Sequence, residues 1–196
     1  ALSDDDVLTV DPGRVLDIAA TFFAAEAAGL ADWATTTAAD YARVRRQFGR
    51  VIGQFQGVKH TVARMLCHTE QARVTTWDAT RALGEDISAD EASLAVAVAA
   101  SVAPAAAFQV TKSCIQVLGG IGYTWDHPAH LYMRRAQSLR ILLGSTASWR
   151  RRVTALTRAG ARRVLTVDLP PEAEQIRADV RAELEPATLL DDVKQK

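Results

Sequence analysis

Gln116-Val-Leu-Gly-Gly-Ile-Gly-Tyr123 and, earlier in the chain, Arg45-Arg-Gln-Phe-Gly49 each close a long segment whose apolar residues recur at helical spacing. Each sets polar or cationic side chains beside glycines at the end of that segment. Glycine lets backbone come close to a ligand, and a guanidinium suits an anionic group. Together they predict helices that end at a site for a phosphate-bearing molecule.

Working outward, strand signals are sparse and helix signals dense. Asp11-Pro12 places proline at a first helical position. Val15, Ile18, Ala19, Phe22, Phe23, Ala27, Leu30, Trp33, Thr37, Tyr41 and Val44 then follow one apolar stripe, with Gly49 as the expected stop. A second helix is predicted from about Phe55 through Val58, Val62, Met65, Leu66, Val74 and Trp77 to Leu83. Gly84 to Glu91 is a polar connector whose Ser88-Ala-Asp-Glu91 reads as a capping box. A third helix runs to Leu118, bent at Pro104 and stopped by Gly119-Gly120. The fourth runs from near Pro128 through Leu131, Ala136, Leu139 and Leu142 to about Leu156. Four long helices with short connectors predict an all-α antiparallel four-helix bundle.

Beyond Gly160 the character changes. Val164 to Pro171 reads as a linker, and a weakly amphipathic helix from about Pro171 to Leu184 follows, striped by Ile176, Val180 and Leu184. The predicted division is therefore residues 1–160 for the bundle and 161–196 for the linker and extra helix.

The 196 residues are 48% hydrophobic with 23 basic and 23 acidic side chains, so a neutral globular protein is expected, with no nucleic-acid partner. The opening Leu2-Ser-Asp-Asp-Asp6 is acidic where a secretory signal would be basic. Ala92 to Gln109 is interrupted by Ser93, Ser101 and Pro104 and reads as a packed helix rather than a membrane span. Cys67 and Cys114 read as buried free thiols of a reducing compartment, and the expected location is cytoplasmic.

Other constellations carry less. His127 and His130 are three apart at a helix start without further ligands, so capping or surface roles are expected and no metal. His60 and His68 lie two turns apart. Arg150, Arg151, Arg152, Arg158, Arg162 and Arg163 fit solvated cations near a helix C-terminus. Phe22, Phe23, Trp33 and Trp77 are expected in the bundle core.

Arg45-Arg-Gln-Phe-Gly49 continuing to Gln56, then Gln116-Val-Leu-Gly-Gly120 with Pro128 and Arg134-Arg-Ala136, closely resembles the C-terminal helical domain of acyl-CoA dehydrogenases, over about residues 12 to 155. The resemblance implies FAD as cofactor, an acyl-CoA substrate and an oligomer in which this bundle reaches a neighbouring subunit's FAD. It implies that Arg45 meets the pyrophosphate, with Gln47 where the family often has a hydroxyl residue or another polar side chain. Phe48 and Gln56 would flank the adenosine half. Gln116 would hydrogen-bond the dinucleotide while Gly119 and Gly120 let the backbone close on it.

The family's usual base, a glutamate after the Gly-Gly motif, corresponds to Leu143, which accepts no proton. The alternative position on the first helix falls near Ala19-Ala20, again without a carboxylate. Asp17 and Glu26 are the nearest candidates. Flavin-contacting motifs without a base resemble the non-catalytic half of heteromeric actinobacterial members acting on steroid side-chain CoA thioesters. Leu169 to Glu183 resembles the opening helix of another such module, which implies a tandem fusion. Two other readings stand beside this one: an active member with its base at Glu26 or Asp17, and a helical dimerisation scaffold without flavin.

Overall fold

The computed structural model describes residues 10–163 and 169–183. The acidic stretch 2–6, linker residues 164–168 and Leu184 lie outside the described residues. The chain divides into two compact units, Ala1–Arg163 and Val164–Lys196.

The first unit is all helix apart from one small hairpin. Helix α1 spans Pro12–Val44, and the carboxylate of Asp11 caps it by accepting from the Gly13 N–H at 2.9 Å. Strands β1 (Arg46–Gln47) and β2 (Arg50–Val51) pair antiparallel, Arg46 opposite Val51 and Gln47 opposite Arg50. A short 3-10 turn then leads into α2, Gln56–Gly84. Helix α3, Ala89–Leu118, passes unbroken through Pro104 and touches every other bundle helix. A second 3-10 turn, Gly119–Tyr123, precedes α4 (Ala129–Leu142) and α5 (Thr146–Arg158).

Three sequence expectations change here. The helix ending at Gly49 ends instead at Val44, because Phe48 and Gly49 both have positive φ, 51° and 78°, and form the two-residue turn of the hairpin. The single fourth helix is two. Gly144 at φ 86° breaks it, and the Ser145 hydroxyl caps α5 by accepting from the Ser148 N–H at 3.1 Å. The capping box is half formed: Ser88 Oγ accepts from Glu91 N–H at 3.2 Å, while the Glu91 carboxylate turns to Arg163.

The core also differs in kind. On α1 the buried face is Ala20, Ala24, Ala27, Ala31, Ala34, Ala38 and Ala42, whereas Phe22 is 73% exposed and Val15, Ile18 and Val44 are exposed as well. Trp77 is 65% exposed, contrary to its expected core position, while Phe23 and Trp33 do pack against the core. Alanine stripes let long helices approach closely over their whole length, so the contact comes from backbone and methyls rather than large side chains. Met65, Val96, Val110 and Leu139 supply the bulk that fills the remaining space. Thr35 and Thr69 bond hydroxyl to hydroxyl at 2.8 Å between α1 and α2, satisfying the polar atoms buried in that seam.

Cys67 is exposed rather than buried, whereas Cys114 is buried, and both are free. Helix α3 is long and apolar enough by length and composition to cross a membrane, but 72% of its most apolar window is buried inside the bundle, in keeping with a packed helix. The expected solvated arginines include two that are engaged. Arg152 meets Asp17, and Arg163, only 12% exposed in its side chain, meets Asp78, Glu85 and Glu91 at 2.9, 2.9 and 3.2 Å.

In the second unit, α6 spans Glu172–Glu183, with acidic residues Glu172 and Glu174 in its first turn and no buried residue. Its stripe residues Ile176 and Val180 are exposed.

Candidate flavin-contacting site

The two motifs that opened the sequence reading meet at one end of the bundle. Tyr41, Arg45, Gln47 and Ile52, from the end of α1 and the hairpin, line a pocket of about 360 Å³ with Val117 to Ile121 from the end of α3. Val44 is the last residue of α1, so Arg45 leaves the helix with extended backbone and its N–H donates to the Tyr41 carbonyl at 2.9 Å. Arg45 is exposed to solvent.

Across the pocket Gly119 has φ 64°, a left-handed value that glycine adopts without strain, and its N–H reaches back to the Ile115 and Gln116 carbonyls. A Cβ built on Gly119 or Gly120 would meet nothing within 4 Å, so both glycines border open space. Gly122 is the reverse: a Cβ there would lie 2.7 Å from the Ile115 carbonyl oxygen. Gly122 lets the turn pack on α3, while Gly119 and Gly120 leave room for something outside the chain. An exposed arginine and two bare backbone units lining one hollow suit an anionic, phosphate-bearing group.

Phe48 stands at the hairpin tip, 91% exposed and at positive φ, an unusual conformation for a bulky residue. Arg46 Nη2 braces the turn on the Gly49 carbonyl at 3.0 Å, and Phe55 meets the Phe48 ring edge-on at 6.0 Å. Gln56 starts α2 one residue on. Gln116 does not line the Arg45 pocket. It borders a neighbouring cavity of about 620 Å³ with Lys112, Tyr123, Trp125 and His130. Composition gave no sign of that cavity, because its walls come from α3, the 3-10 turn and α4 together.

Leu143 caps α4 and packs against the core, and its carbonyl accepts from the indole N–H of Trp149 at 2.9 Å. Glu26 is gripped by Arg135 of α4, Nη2 to Oε2 at 2.7 Å, and that hydrogen bond holds its carboxyl below the ordinary value. Asp17 is 3% exposed; it accepts from Ser93 Oγ on α3, and Arg152 Nη2 of α5 lies 2.8 Å from its other oxygen at an angle too poor for a hydrogen bond. His127 Nδ1 accepts from the Ala129 N–H at 3.1 Å, a capping role, and no group of three metal ligands occurs among the described residues.

A helical bundle with an arginine- and glycine-lined hollow at one end defines an all-α domain. Residues 13–156 match the family model described as "Acyl-CoA dehydrogenase, C-terminal domain", and the chain belongs to the acyl-CoA dehydrogenase family. It is 52% identical over 190 residues to the acyl-CoA dehydrogenase FadE34 of Mycobacterium tuberculosis (strain ATCC 25618 / H37Rv), covering 97% of this chain and 26% of that protein. Among solved structures, a variant of the Tcur3481-Tcur3483 steroid ACAD superposes with TM-score 0.70 at 33% identity, covering 76% of this chain and 40% of that one. The ChsE4-ChsE5 complex from Mycobacterium tuberculosis gives TM-score 0.67 at 30% identity over 76% of this chain and 39% of that one. The chain thus spans between about a quarter and two-fifths of the length of these relatives.

Proposed function

We propose that this bundle is the FAD-contacting, oligomer-forming domain of an acyl-CoA dehydrogenase, and that it carries no proton-abstracting residue. One observation carries the reading: Arg45 and Gln47 share a single hollow with Gly119 and Gly120. Bound FAD would supply the two-electron acceptor for α,β-desaturation of an acyl-CoA thioester. Arg45 would neutralise the pyrophosphate, Gly119 and Gly120 would admit it, and Gln47 and Gln116 would hydrogen-bond on either side. The exposed Phe48 ring, with Gln56, would cover the adenosine half, and such exposure makes sense when another subunit brings the cofactor.

The missing base is supported by chemistry rather than by inference from spacing alone. Leu143 is aliphatic and packed, and both nearby carboxylates are engaged, Glu26 by Arg135 and Asp17 by Ser93 and Arg152. Proton abstraction would therefore fall to a differently equipped module, in a heteromeric or tandem-fused arrangement that includes α6. The steroid ACAD and the two-component ChsE4-ChsE5 likenesses favour a bulky steroid side-chain CoA substrate. Two free thiols fit a cytoplasmic setting.

Flavin content tests the reading. Arg45→Ala in the full-length protein should strip most FAD absorbance from purified material while the helical circular dichroism signal stays. Full flavin retention in that variant would overturn it.

A further inference from the structure

Beside the Phe48 ring stand two residues with no part in the flavin contacts above, Arg50 and Phe55. Residues 41 to 69 contain no aspartate or glutamate, so Arg50 has no carboxylate within its own segment. Its guanidinium instead lies over the Phe55 ring, 4.2 Å from the centroid, within the range of a cation–π contact. Phe55 in turn meets Phe48 edge-on at 6.0 Å, an arrangement that aromatic quadrupoles favour. Phe55 is the residue immediately before α2, and its carbonyl accepts from the Val58 and Lys59 N–H groups at 3.1 and 3.0 Å. The base of the hairpin is equally fixed. A Cβ on Gly53 would lie 2.8 Å from the Ala42 carbonyl oxygen, so the 3-10 turn packs directly on α1. The Ile52 N–H donates to the Arg45 carbonyl at 2.8 Å.

We infer that Arg50 and Phe55 are positioning residues for cofactor binding, which together hold the Phe48 ring out from the bundle before any cofactor arrives. This assignment rests on the flavin reading for what Phe48 covers. Backbone at φ 51° disfavours a bulky side chain, and an apolar ring 91% exposed gains by folding back onto apolar surface. Both tendencies pull the tip away from its observed place. Arg46 braces only the backbone of the turn, through the Gly49 carbonyl. The ring itself is met by Phe55. Arg50 over the Phe55 ring fixes that ring's rotation, and the 87° between the two aromatic planes passes the restraint on to Phe48. A tip already in place spares the ordering cost that a flexible arm would meet on binding.

The test uses the full-length protein, as purified and after its flavin is removed. In the flavin-free form, Arg50→Ala and Phe55→Leu should each speed amide hydrogen exchange severalfold across residues 46–52. Titration with FAD should show affinity weakened about tenfold by each, and by no more in the double variant, because either change releases the same ring. The thermal midpoint should stay parental, since neither residue belongs to the bundle core. Phe55→Tyr keeps the ring face and should behave as the parent, whereas Arg50→Lys keeps the charge without the planar guanidinium and should recover only part of the loss. Parental exchange in both Arg50→Ala and Phe55→Leu would overturn the inference. So would affinity losses that add in the double variant, or full recovery by Arg50→Lys, since either would mean that Arg50 acts on the cofactor's charge and not through Phe55. Exchange is read without flavin and Arg45→Ala tests the cofactor itself, so failure of the flavin reading and failure of this assignment give different results.

Discussion

Arg135 holds Glu26 by two nitrogens across the α1–α4 seam, with Nη2 2.7 Å from Oε2. The Trp33 and Tyr132 rings stack beside this pair at 3.4 Å between centroids, so the seam is polar on its surface and aromatic beneath. The pair bears directly on whether Glu26 can act as a base.

Glu26→Gln in the full-length enzyme should leave turnover within about twofold, because a carboxylate with a lowered pKa, committed to a guanidinium, is a poor proton acceptor. The sign of its stability effect follows from the same lowering. The pair contributes fully above the ordinary value of 4.5, and its contribution is lost as pH falls through the lower folded value. Loss of turnover in a folded Glu26→Gln or Asp17→Asn variant would reinstate the relocated-base reading.

Two neighbouring glycines should fail differently. Gly120→Val places its side chain in open space and should cut flavin content severalfold with the melting midpoint nearly unchanged. Gly122→Ala drives a Cβ against the Ile115 carbonyl and Leu118, and should cost about 1–3 kcal/mol of stability, read by denaturant melting. Equal effects of the two on stability would contradict the geometry.

The thiols give a simple count. Burial pushes the Cys114 thiol up to about 11, whereas Cys67 is exposed. Near pH 8 a thiol reagent should label one cysteine per folded chain within minutes and both in denaturant. Rapid labelling of both in the native protein would show that α3 is less well packed than described.

Arg163 gathers Asp78, Glu85 and Glu91 from α2, its following loop and α3. Removing the guanidinium leaves three carboxylates facing one another. Arg163→Ala should lower Tm by on the order of 5 °C, with Arg163→Lys recovering part of the loss. Glu85, whose carboxyl Arg163 holds below its ordinary 4.5, makes this contribution present above that value and lost as pH falls below it.

Much of this molecule could be read from residue order. Asp11-Pro12, Gly84 and Gly119 mark helix limits because proline and capping side chains act through local backbone geometry. The Phe48-Gly49 hairpin was also within reach, since Gly in a two-residue turn is a local signal, but phenylalanine at positive φ is rare enough to hide it. The split at Gly144 was hidden for a related reason, as apolar residues on both sides kept helical spacing.

The sequence by itself determined the all-α class, the helix order and the identity of the two glycine-bearing motifs, because these depend on periodicity and on contacts within a few residues. Only the tertiary structure decided that alanines rather than large side chains form the buried face of α1. It alone separated Gln116 from the Arg45 hollow, and it alone committed Asp17, Glu26 and Arg163 to ion pairs. Each of those outcomes depends on which neighbour a side chain meets across the bundle. That is fixed by helix rotation and packing distance, and neither is written in local spacing.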